Sequence, residues 1–204
     1  MQKERSRCGK MGKIFYLMGK SASGKDTIYK KLRDQAEGLK TVALYTTRPI
    51  REGEKEGEEY FFVDRERFEE LYKSGKVIEY RDYHTVHGLW TYFTVDAGQF
   101  HLDRESYLMI GTLESYEKMQ NYFGTDTMIP VYIEVEDGER LARALARERQ
   151  QEKPKYAEMC RRFLTDTEDF AEEKLQKLGI SHRYENHDVD KTVKEILRKI
   201  EELQ

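Results

Sequence analysis

Short apolar runs alternate with amphipathic stretches along most of the chain. Ile14–Met18 has the pattern of a buried strand, and Ile28 and Leu32 mark an amphipathic helix that begins after Gly24. Thr41–Tyr45 is a second apolar run. A strand, a glycine-containing loop, a helix and a strand in close succession are typical of a βαβ unit, so the pattern predicts parallel strands and an α/β fold class.

The pattern changes between residues 46 and 95. A charged loop is followed by a predicted helix over about 65–74 and by strand patterns at Val77–Tyr80 and Tyr92–Val95. We predict a small mixed subdomain, residues 46–95, inserted between strands of the main sheet.

Alternating strands and helices resume after residue 95. Strand patterns lie at Tyr107–Ile110, Met128–Val135 and Ser181–Tyr184, and helical patterns start near Glu114, cover Gly138–Gln151, run from Pro154 to Leu178 and cover Asp190–Leu203. We therefore predict one domain over 13–204, with its core at 13–45 and 96–204, and a disordered arm over 1–12.

Composition narrows the functional class. The 204 residues include 36 Lys+Arg and 39 Asp+Glu, a formal net charge of −3. This balance argues against a protein that holds nucleic acid by bulk electrostatics. Cys8 and Cys160 are too few for a disulfide framework, and no apolar run is long enough to span a membrane. The prediction is a reduced, soluble, cytoplasmic protein with no nucleic-acid or membrane partner. The sequence does not decide between a monomer and a dimer.

One motif carries recognisable chemistry. The segment after the first strand fits GxxxxGK and precedes a helix, which is the arrangement of a P-loop. Glycines let backbone N–H groups turn toward an anion, the helix N-terminus adds partial positive charge, and Lys25 supplies a full charge. The predicted ATP-binding residues are Gly19, Lys20, Ser21, Ala22, Ser23, Gly24, Lys25, Asp26 and Thr27.

The residue after the lysine departs from this motif. The usual Ser or Thr, whose hydroxyl binds Mg²⁺, is Asp26 here, and Thr27 follows it. Asp26 and Thr27 are therefore candidate Mg²⁺ ligands. An equally weighted alternative is that Asp26 caps the helix N-terminus.

The next segment resembles the GMP-binding subdomain of guanylate kinases. Thr46-Thr47-Arg48-Pro49-Ile50-Arg51-Glu52-Gly53-Glu54, then Gly57 and Tyr60-Phe61-Phe62-Val63, are similar to that family's TTRxxRxGExxGxxYxFV pattern. The resemblance implies a P-loop NTPase-type parallel sheet flanked by helices, with a nucleoside monophosphate-binding insertion and a helical lid over about 143–162. It also implies an ATP-dependent, Mg²⁺-requiring kinase acting on small nucleotides.

The residue chemistry is compatible with these roles. Arg48 and Arg51 are three apart and can direct two guanidinium groups at one phosphate, and Tyr60 offers a hydroxyl. Glu79 can accept two N–H bonds from a base edge such as guanine N1 and N2. The resemblance adds Tyr92, Thr94 and the carboxylate Glu114 to the predicted GMP site.

The resemblance also places residues around the donor nucleotide. Asn186 is similar to the family's asparagine beside the adenine. Arg143, Arg147 and Arg162 are similar to lid arginines that close over the phosphates, although an exposed, salt-bridged helix is the competing interpretation. The predicted catalytic cations are Lys25, Arg48, Arg51, Arg143, Arg147 and Arg162.

Departures from the family concentrate on base selection. Leu44 stands where the family has serine, Phe93 replaces a glycine, and the strand that normally delivers aspartates reads Ile110-Gly111-Thr112. Three alternatives to a guanylate kinase therefore remain. They are a kinase of the same fold with another acceptor, such as another nucleotide or a ribose bisphosphate, a non-catalytic guanylate-kinase-like interaction module, and an unrelated P-loop ATPase or GTPase.

Overall fold

The computed structural model describes residues 11–51, 53–58, 60–85 and 88–204. Residues 1–10 of the predicted arm, Cys8 among them, and Glu52 of the TTRxxR segment lie outside the described residues. Gly12 was predicted to belong to the arm, but it is buried and its N–H donates to Leu102 O at 2.7 Å. The prediction was wrong at that residue, because the chain packs against the core before the first strand begins.

Seven helices and nine strands occur in the described part of the chain. The helices are α1 Lys25–Gln35, α2 Arg65–Lys73, α3 Leu113–Phe123, α4 Asp137–Arg149, α5 Tyr156–Asp169, α6 Glu172–Lys177 and α7 Val189–Leu203. The strands are β1 Ile14–Met18, β2 Leu39–Thr41, β3 Leu44–Thr46, β4 Tyr60–Phe62, β5 Val77–Thr85, β6 Gly88–Val95, β7 Ser106–Ile110, β8 Met128–Glu134 and β9 Tyr184–Glu185.

The main sheet is parallel and has the strand order β2-β7-β1-β8-β9. All five side chains of β1 are buried, as expected of a central strand covered on both faces. Helices α1 and α7 pack on one face through Ile28, Leu32 and Ile196, and α3 packs on the other through Tyr116 and Met119. The predicted α/β class with a parallel sheet and flanking helices is confirmed.

A second, mixed sheet has the order β4-β3-β6-β5. Strands β5 and β6 form a long antiparallel pair with a β-bulge between Val77 and Glu79. One face of this sheet packs against α2 through Phe68, Leu71 and Phe93. Because side chains alternate along a strand, the opposite face carries a different set, which includes the predicted acceptor residues.

Two predicted elements are divided in the structure. The run Thr41–Tyr45 is not one strand: β2 ends at Thr41 in the main sheet, and β3 starts at Leu44 in the second sheet, two residues before the boundary predicted at 46. The helix predicted to reach Leu178 ends at Asp169 and resumes at Glu172. Phe170 interrupts it, because its buried ring stacks on Tyr132 with centroids 5.6 Å apart.

Within the described ranges, no helix combines the length and the apolar character needed to cross a bilayer. Cys160 is an exposed free thiol on α5.

Candidate active site

The loop between β1 and α1 requires its glycines for steric reasons. Gly24 has φ +85°, and a Cβ there would lie 2.5 Å from Asn186 Nδ2. A Cβ on Gly19 would lie 2.6 Å from Ile133 O. The loop joins the carboxyl end of a central parallel strand to a helix N-terminus, which is the geometry of an anion-binding P-loop.

Asn186 is hydrogen-bonded to this loop. Its side chain is buried, and Nδ2 donates to Ser23 O at 2.7 Å, whereas Oδ1 has no hydrogen-bond partner among the described residues. Ser23 is also buried. In the structure Asn186 therefore stabilises the loop through Ser23, and its predicted contact with the adenine stays a prediction.

The charged groups of the loop lie at its outer side. Lys25 Nζ is 3.3 Å from Asp26 Oδ2, and the Asp26 side chain is 77% exposed. Lys20 Nζ is 3.4 Å from Asp137 Oδ1. Thr27 is exposed beside Asp26 in the first turn of α1, while Ala22 takes a left-handed conformation with φ 62°. Lys25 thus stands at the helix N-terminus where an anion would bind.

Asp26 and Thr27 fit a magnesium ion by donor chemistry. A carboxylate and a hydroxyl are hard oxygen ligands, and Mg²⁺ commonly takes one or two carboxylates together with substrate phosphates and water. In the part of the chain that the structure describes, no group of three or more His, Cys, Asp and Glu side chains is placed to hold a metal ion by itself. A metal at this position would therefore depend on the phosphates of a bound nucleotide.

A buried ion-pair group ties the loop to helices α4 and α5. Arg140, 1% exposed, donates through Nε to Ser21 O at 3.1 Å and through Nη1 to Asp137 at 2.6 Å. Its Nη2 lies 3.3 Å from Asp166 Oδ2 on α5, and the same carboxylate oxygen accepts Ser21 N–H at 2.7 Å. The Arg140 guanidinium also stacks over Phe163, 4.7 Å from the ring centroid. Sequence reasoning missed Arg140 and Asp166.

The predicted lid arginines lie on α4 and α5. Arg147 and Arg162 line a cavity of about 390 Å³ that also includes Ser21 of the phosphate loop. Arg162 Nε donates to Glu158 at 2.8 Å. Arg143 donates to Asn186 O at 3.0 Å and pairs with Glu139. The structure therefore places Arg147 and Arg162 in the cavity that Ser21 lines, whereas Arg143 is directed at the backbone of Asn186.

Arg48 is the most constrained of the predicted acceptor residues. It is 3% exposed and forms a bidentate pair with Glu54, with Nη1–Oε2 at 2.7 Å and Nη2–Oε1 at 2.5 Å. Its Nε donates to Tyr92 Oη at 3.1 Å, and its guanidinium lies 5.2 Å from the Tyr60 ring centroid. The hydrogen bond from Arg48 lowers the pKa of Glu54 to about 2. This arginine is oriented by several protein groups at once.

Arg51, Tyr60 and Tyr92 surround Arg48. The Arg51 backbone N–H donates to Glu54 Oε2 at 2.8 Å, and its side chain lies over Trp90, 5.9 Å from the ring centroid. The Tyr60 and Tyr92 rings meet edge to face with centroids 5.5 Å apart. Burial raises the pKa of Tyr60, so its hydroxyl stays protonated and can donate a hydrogen bond at neutral pH.

Glu79 lies on the same face of the second sheet. Glu79 pairs across the strands with Thr94, and Thr94 Oγ1 donates to Glu79 Oε1 at 2.7 Å. The Glu79 side chain is 0% exposed, and its Oε2 lies 3.3 Å from Arg81 Nε. The two predicted residues Glu79 and Thr94 are thus hydrogen-bonded to each other, and Arg81 lies beside them. Sequence reasoning missed Arg81, although its spacing of two from Glu79 places both residues on one face of the strand.

A cavity of about 930 Å³ lies between the second sheet and α3 and α6, and Arg81, Tyr83, Thr112 and Glu114 are among its lining residues. Glu114 is 62% exposed and pairs with Lys118 at 2.7 Å. Of the departures from the family, Phe93 is buried against α2 on the opposite face of the sheet, so its bulk does not enter the cavity.

Tyr16 connects the central strand to this region. Its hydroxyl is within 2.7 Å of Ser115 Oγ, and burial raises its pKa. A Cβ on Gly111 would lie 2.1 Å from Tyr16 Oη, so the glycine in the Ile110-Gly111-Thr112 segment makes room for this phenol.

Comparison with known proteins gives one consistent family. The family model described as guanylate kinase matches residues 11–203. A curated guanylate kinase of Rhodopseudomonas palustris (strain ATCC BAA-98 / CGA009) is 41% identical over 69 residues, 34% of this chain and 31% of the relative. One of Oceanobacillus iheyensis is 42% identical over 72 residues, 35% of each chain. The chain thus spans about a third of the length of the curated relatives it matches.

A solved structure extends the likeness to nearly the whole chain. The crystal structure of guanylate kinase from Anaplasma phagocytophilum matches with a TM-score of 0.68 and 22% sequence identity, and the match covers 96% of this chain and 87% of that one. At this identity the likeness establishes the fold alone.

Proposed function

The chain belongs to the guanylate kinase family, and from that premise we propose that it transfers the γ-phosphoryl group of ATP to the phosphate of GMP, giving ADP and GDP. The observation that carries this proposal is that the chain has two separate groups of residues suited by their chemistry to bind a phosphate. One is the loop before α1 with Lys25, and the other is Arg48, which follows β3, together with Tyr60 and Tyr92 on the second sheet. A nucleotide hydrolase would have no use for the second.

Phosphoryl transfer of this kind depends on alignment and electrostatics, because the transition state is loose and requires no covalent nucleophile. Backbone N–H groups of residues 19–25 and the Lys25 ammonium would hold the donor phosphates. Arg48 is held by Glu54 and Tyr92 before any substrate arrives, so little ordering is needed when the acceptor phosphate binds. Arg51, Tyr60 and Tyr92 would complete the acceptor phosphate site.

The lid residues would act on closure. Arg147 on α4 and Arg162 on α5 line one cavity with Ser21, so a modest movement of both helices relative to the loop would bring the two guanidinium groups toward the donor phosphates. Arg143 would join them if its contact with Asn186 O were exchanged. Closure would also exclude water, which limits unproductive ATP hydrolysis. Mg²⁺ held with the phosphates by Asp26 and Thr27 would neutralise the charge that develops during transfer.

A second candidate is a kinase of this fold with a different acceptor. Two observations favour it: Leu44 packs beside the core cluster, and Thr112 stands where the family delivers a carboxylate. The intact phosphate loop, with the steric demand for Gly19 and Gly24, argues against a non-catalytic interaction module. The family match over residues 11–203 argues against an unrelated ATPase or GTPase.

The experiment is a coupled ADP-release assay with ATP·Mg²⁺ and separate acceptors, GMP, dGMP, AMP, CMP, UMP and ribose bisphosphate. We expect ADP release that depends on GMP. ADP release that depends on ribose bisphosphate alone would support the second candidate. ADP release that occurs equally when every acceptor is omitted would overturn both candidates. Calorimetric titration with ATP would identify a non-catalytic module by the absence of binding.

A further inference from the structure

A guanidinium separates the buried carboxylate Glu79 from the large cavity. Arg81 lies two residues after Glu79 on β5, with its Nε 3.3 Å from Glu79 Oε2 and its Nη1 donating to Thr112 Oγ1 at 3.2 Å. The Glu79 side chain is 0% exposed and that of Arg81 is 11% exposed. Glu79 Oε2 and Arg81 Nε are both buried, and within the described residues neither has a hydrogen-bond partner of good geometry.

The cavity is lined by Arg81 and not by Glu79. Its volume of about 930 Å³ lies in the range of small-molecule sites. The cavity adjoins the residues predicted to bind the acceptor phosphate. Tyr83 lines the cavity, and its ring meets the ring of Tyr92 with centroids 5.5 Å apart. A base attached to a phosphate bound at Arg48 would therefore meet the guanidinium of Arg81 before the carboxylate of Glu79.

The chemistry of this group selects one kind of base edge. A guanidinium has five N–H donors and no acceptor, and its fork matches two acceptors placed side by side. Guanine presents O6 and N7 in this way, and arginine is the common partner of that edge. Hypoxanthine presents the same two acceptors. Adenine presents the N6 amino group beside N7, which places donor against donor.

We propose that Arg81 is the base-selecting residue of this chain: anchored by Glu79, it donates hydrogen bonds to O6 and N7 of a 6-oxopurine, so that GMP and IMP are bound in preference to AMP. The inference rests on the proposed function in assigning the cavity to the acceptor nucleotide. In this arrangement Glu79 is the positioning residue, held in turn by Thr94, and the amino group at C2 of guanine contributes little.

Lys118 provides the matched control, because it is one of three lysines that line the same cavity. Its Nζ is engaged by Glu114 at 2.7 Å and by Tyr80 O at 3.0 Å, so it is not directed at a base edge. Replacing it removes one positive charge from the cavity and leaves the Arg81 fork in place.

The test is calorimetric binding of GMP, IMP and AMP to the full chain and to Arg81→Ala, Arg81→Lys and Lys118→Ala. We expect the unaltered chain to bind GMP and IMP within about threefold of each other and AMP at least tenfold more weakly. Arg81→Ala should lose about 5- to 150-fold in affinity for GMP and IMP and little for AMP, the range of one bidentate contact. Arg81→Lys should restore only part of the loss, and Lys118→Ala should leave the ranking unchanged.

Arg81→Ala leaves Glu79 without its counter-ion, so the double variant Arg81→Ala/Glu79→Gln repeats the measurement in a neutral pocket and should show the same selective loss. An equal loss for all three nucleotides would show that Arg81 only supports the pocket and would overturn the inference, as would binding of none of them. Because binding requires no turnover, Arg81-dependent selection of GMP without ADP release would refute the proposed function and leave the base-selecting role intact.

Discussion

Individual side chains at the predicted acceptor site are held by protein partners. Arg48 is fixed by Glu54, Tyr92 and the aromatic rings around it. Glu54 also accepts the backbone N–H of Arg51, so one carboxylate positions both predicted acceptor arginines. Charge-assisted bidentate pairs of this kind provide orientation as well as stability.

This carboxylate makes stability dependent on pH in a defined direction. The pKa of Glu54 is lowered from 4.5 to about 2 by Arg48, so its stabilising contribution is fully present above the unfolded pKa and is lost as the pH falls from about 4.5 toward 2. We expect urea unfolding at pH 3 to show a smaller stability difference between the unaltered chain and Glu54→Gln than at pH 6. The control is Glu70→Gln, which removes an exposed pair with Arg67. An equal stability difference for Glu54→Gln at both pH values would contradict the prediction.

In the proposed reaction, Lys25 is the residue on which phosphoryl transfer depends most directly. Lys25→Met should lower kcat by about 10³-fold or more, because a preorganised cation at the phosphates is removed. Since the side chain is paired only with exposed Asp26 among its described contacts, the free energy of unfolding should change by less than about 1 kcal/mol. Lys30→Met, on the exposed side of α1, should leave kcat unchanged. Near-normal turnover in Lys25→Met would show that the loop does not hold the reacting phosphates.

At the scale of helices and strands, regular patterns predicted most of the fold. The central strand β1 and the amphipathic helix α7 follow from their apolar positions, and α2 was placed within a residue of its observed end. Thr41–Tyr45 and the segment ending at Leu178 were misjudged because an apolar run or a helical pattern does not reveal where the chain changes sheet or turns. Those events are decided by tertiary partners such as Tyr132 beneath Phe170.

The site was predicted less completely for a related reason. Lys25, Arg48 and Glu79 belong to local patterns, whereas Arg140 and Asp166 are 26 positions apart and meet only because α4 and α5 pack together. Arg81 carried a usable signal, its spacing of two from Glu79 on a strand, but a charged residue in such a strand is also compatible with solvent exposure.

The Arg140 group should be a main stabiliser of the contact between the loop and α5. Arg140→Met leaves Asp166 and Ser21 O without a buried cation, and breaking such a pair typically costs about 3–5 kcal/mol. Arg161→Met, which removes an exposed pair with Glu158, should cost at most about 1 kcal/mol. Chemical denaturation of both variants measures the difference. Equal losses would show that the buried position of Arg140 has no special energetic role.

The described part of the molecule consists of a parallel-sheet core that carries the loop before α1 and a smaller sheet beside which the predicted acceptor residues lie. The net charge of −3 conceals this arrangement, because the predicted catalytic cations are spread from Lys25 to Arg162 along the sequence. The structure places Lys25 at the start of α1, Arg147 and Arg162 in the cavity that Ser21 also lines, and Arg48 and Arg51 in the segment after β3. Their convergence on one chain of phosphates stays a prediction about the closed, substrate-bound molecule.

The most direct measurement of the central claim is product identification by ³¹P NMR after incubation with ATP·Mg²⁺ and GMP. We expect GDP and ADP in equal amounts, both absent when GMP is omitted and both lost in Lys25→Met. Formation of ADP and inorganic phosphate without GDP, or no reaction at all, would contradict it.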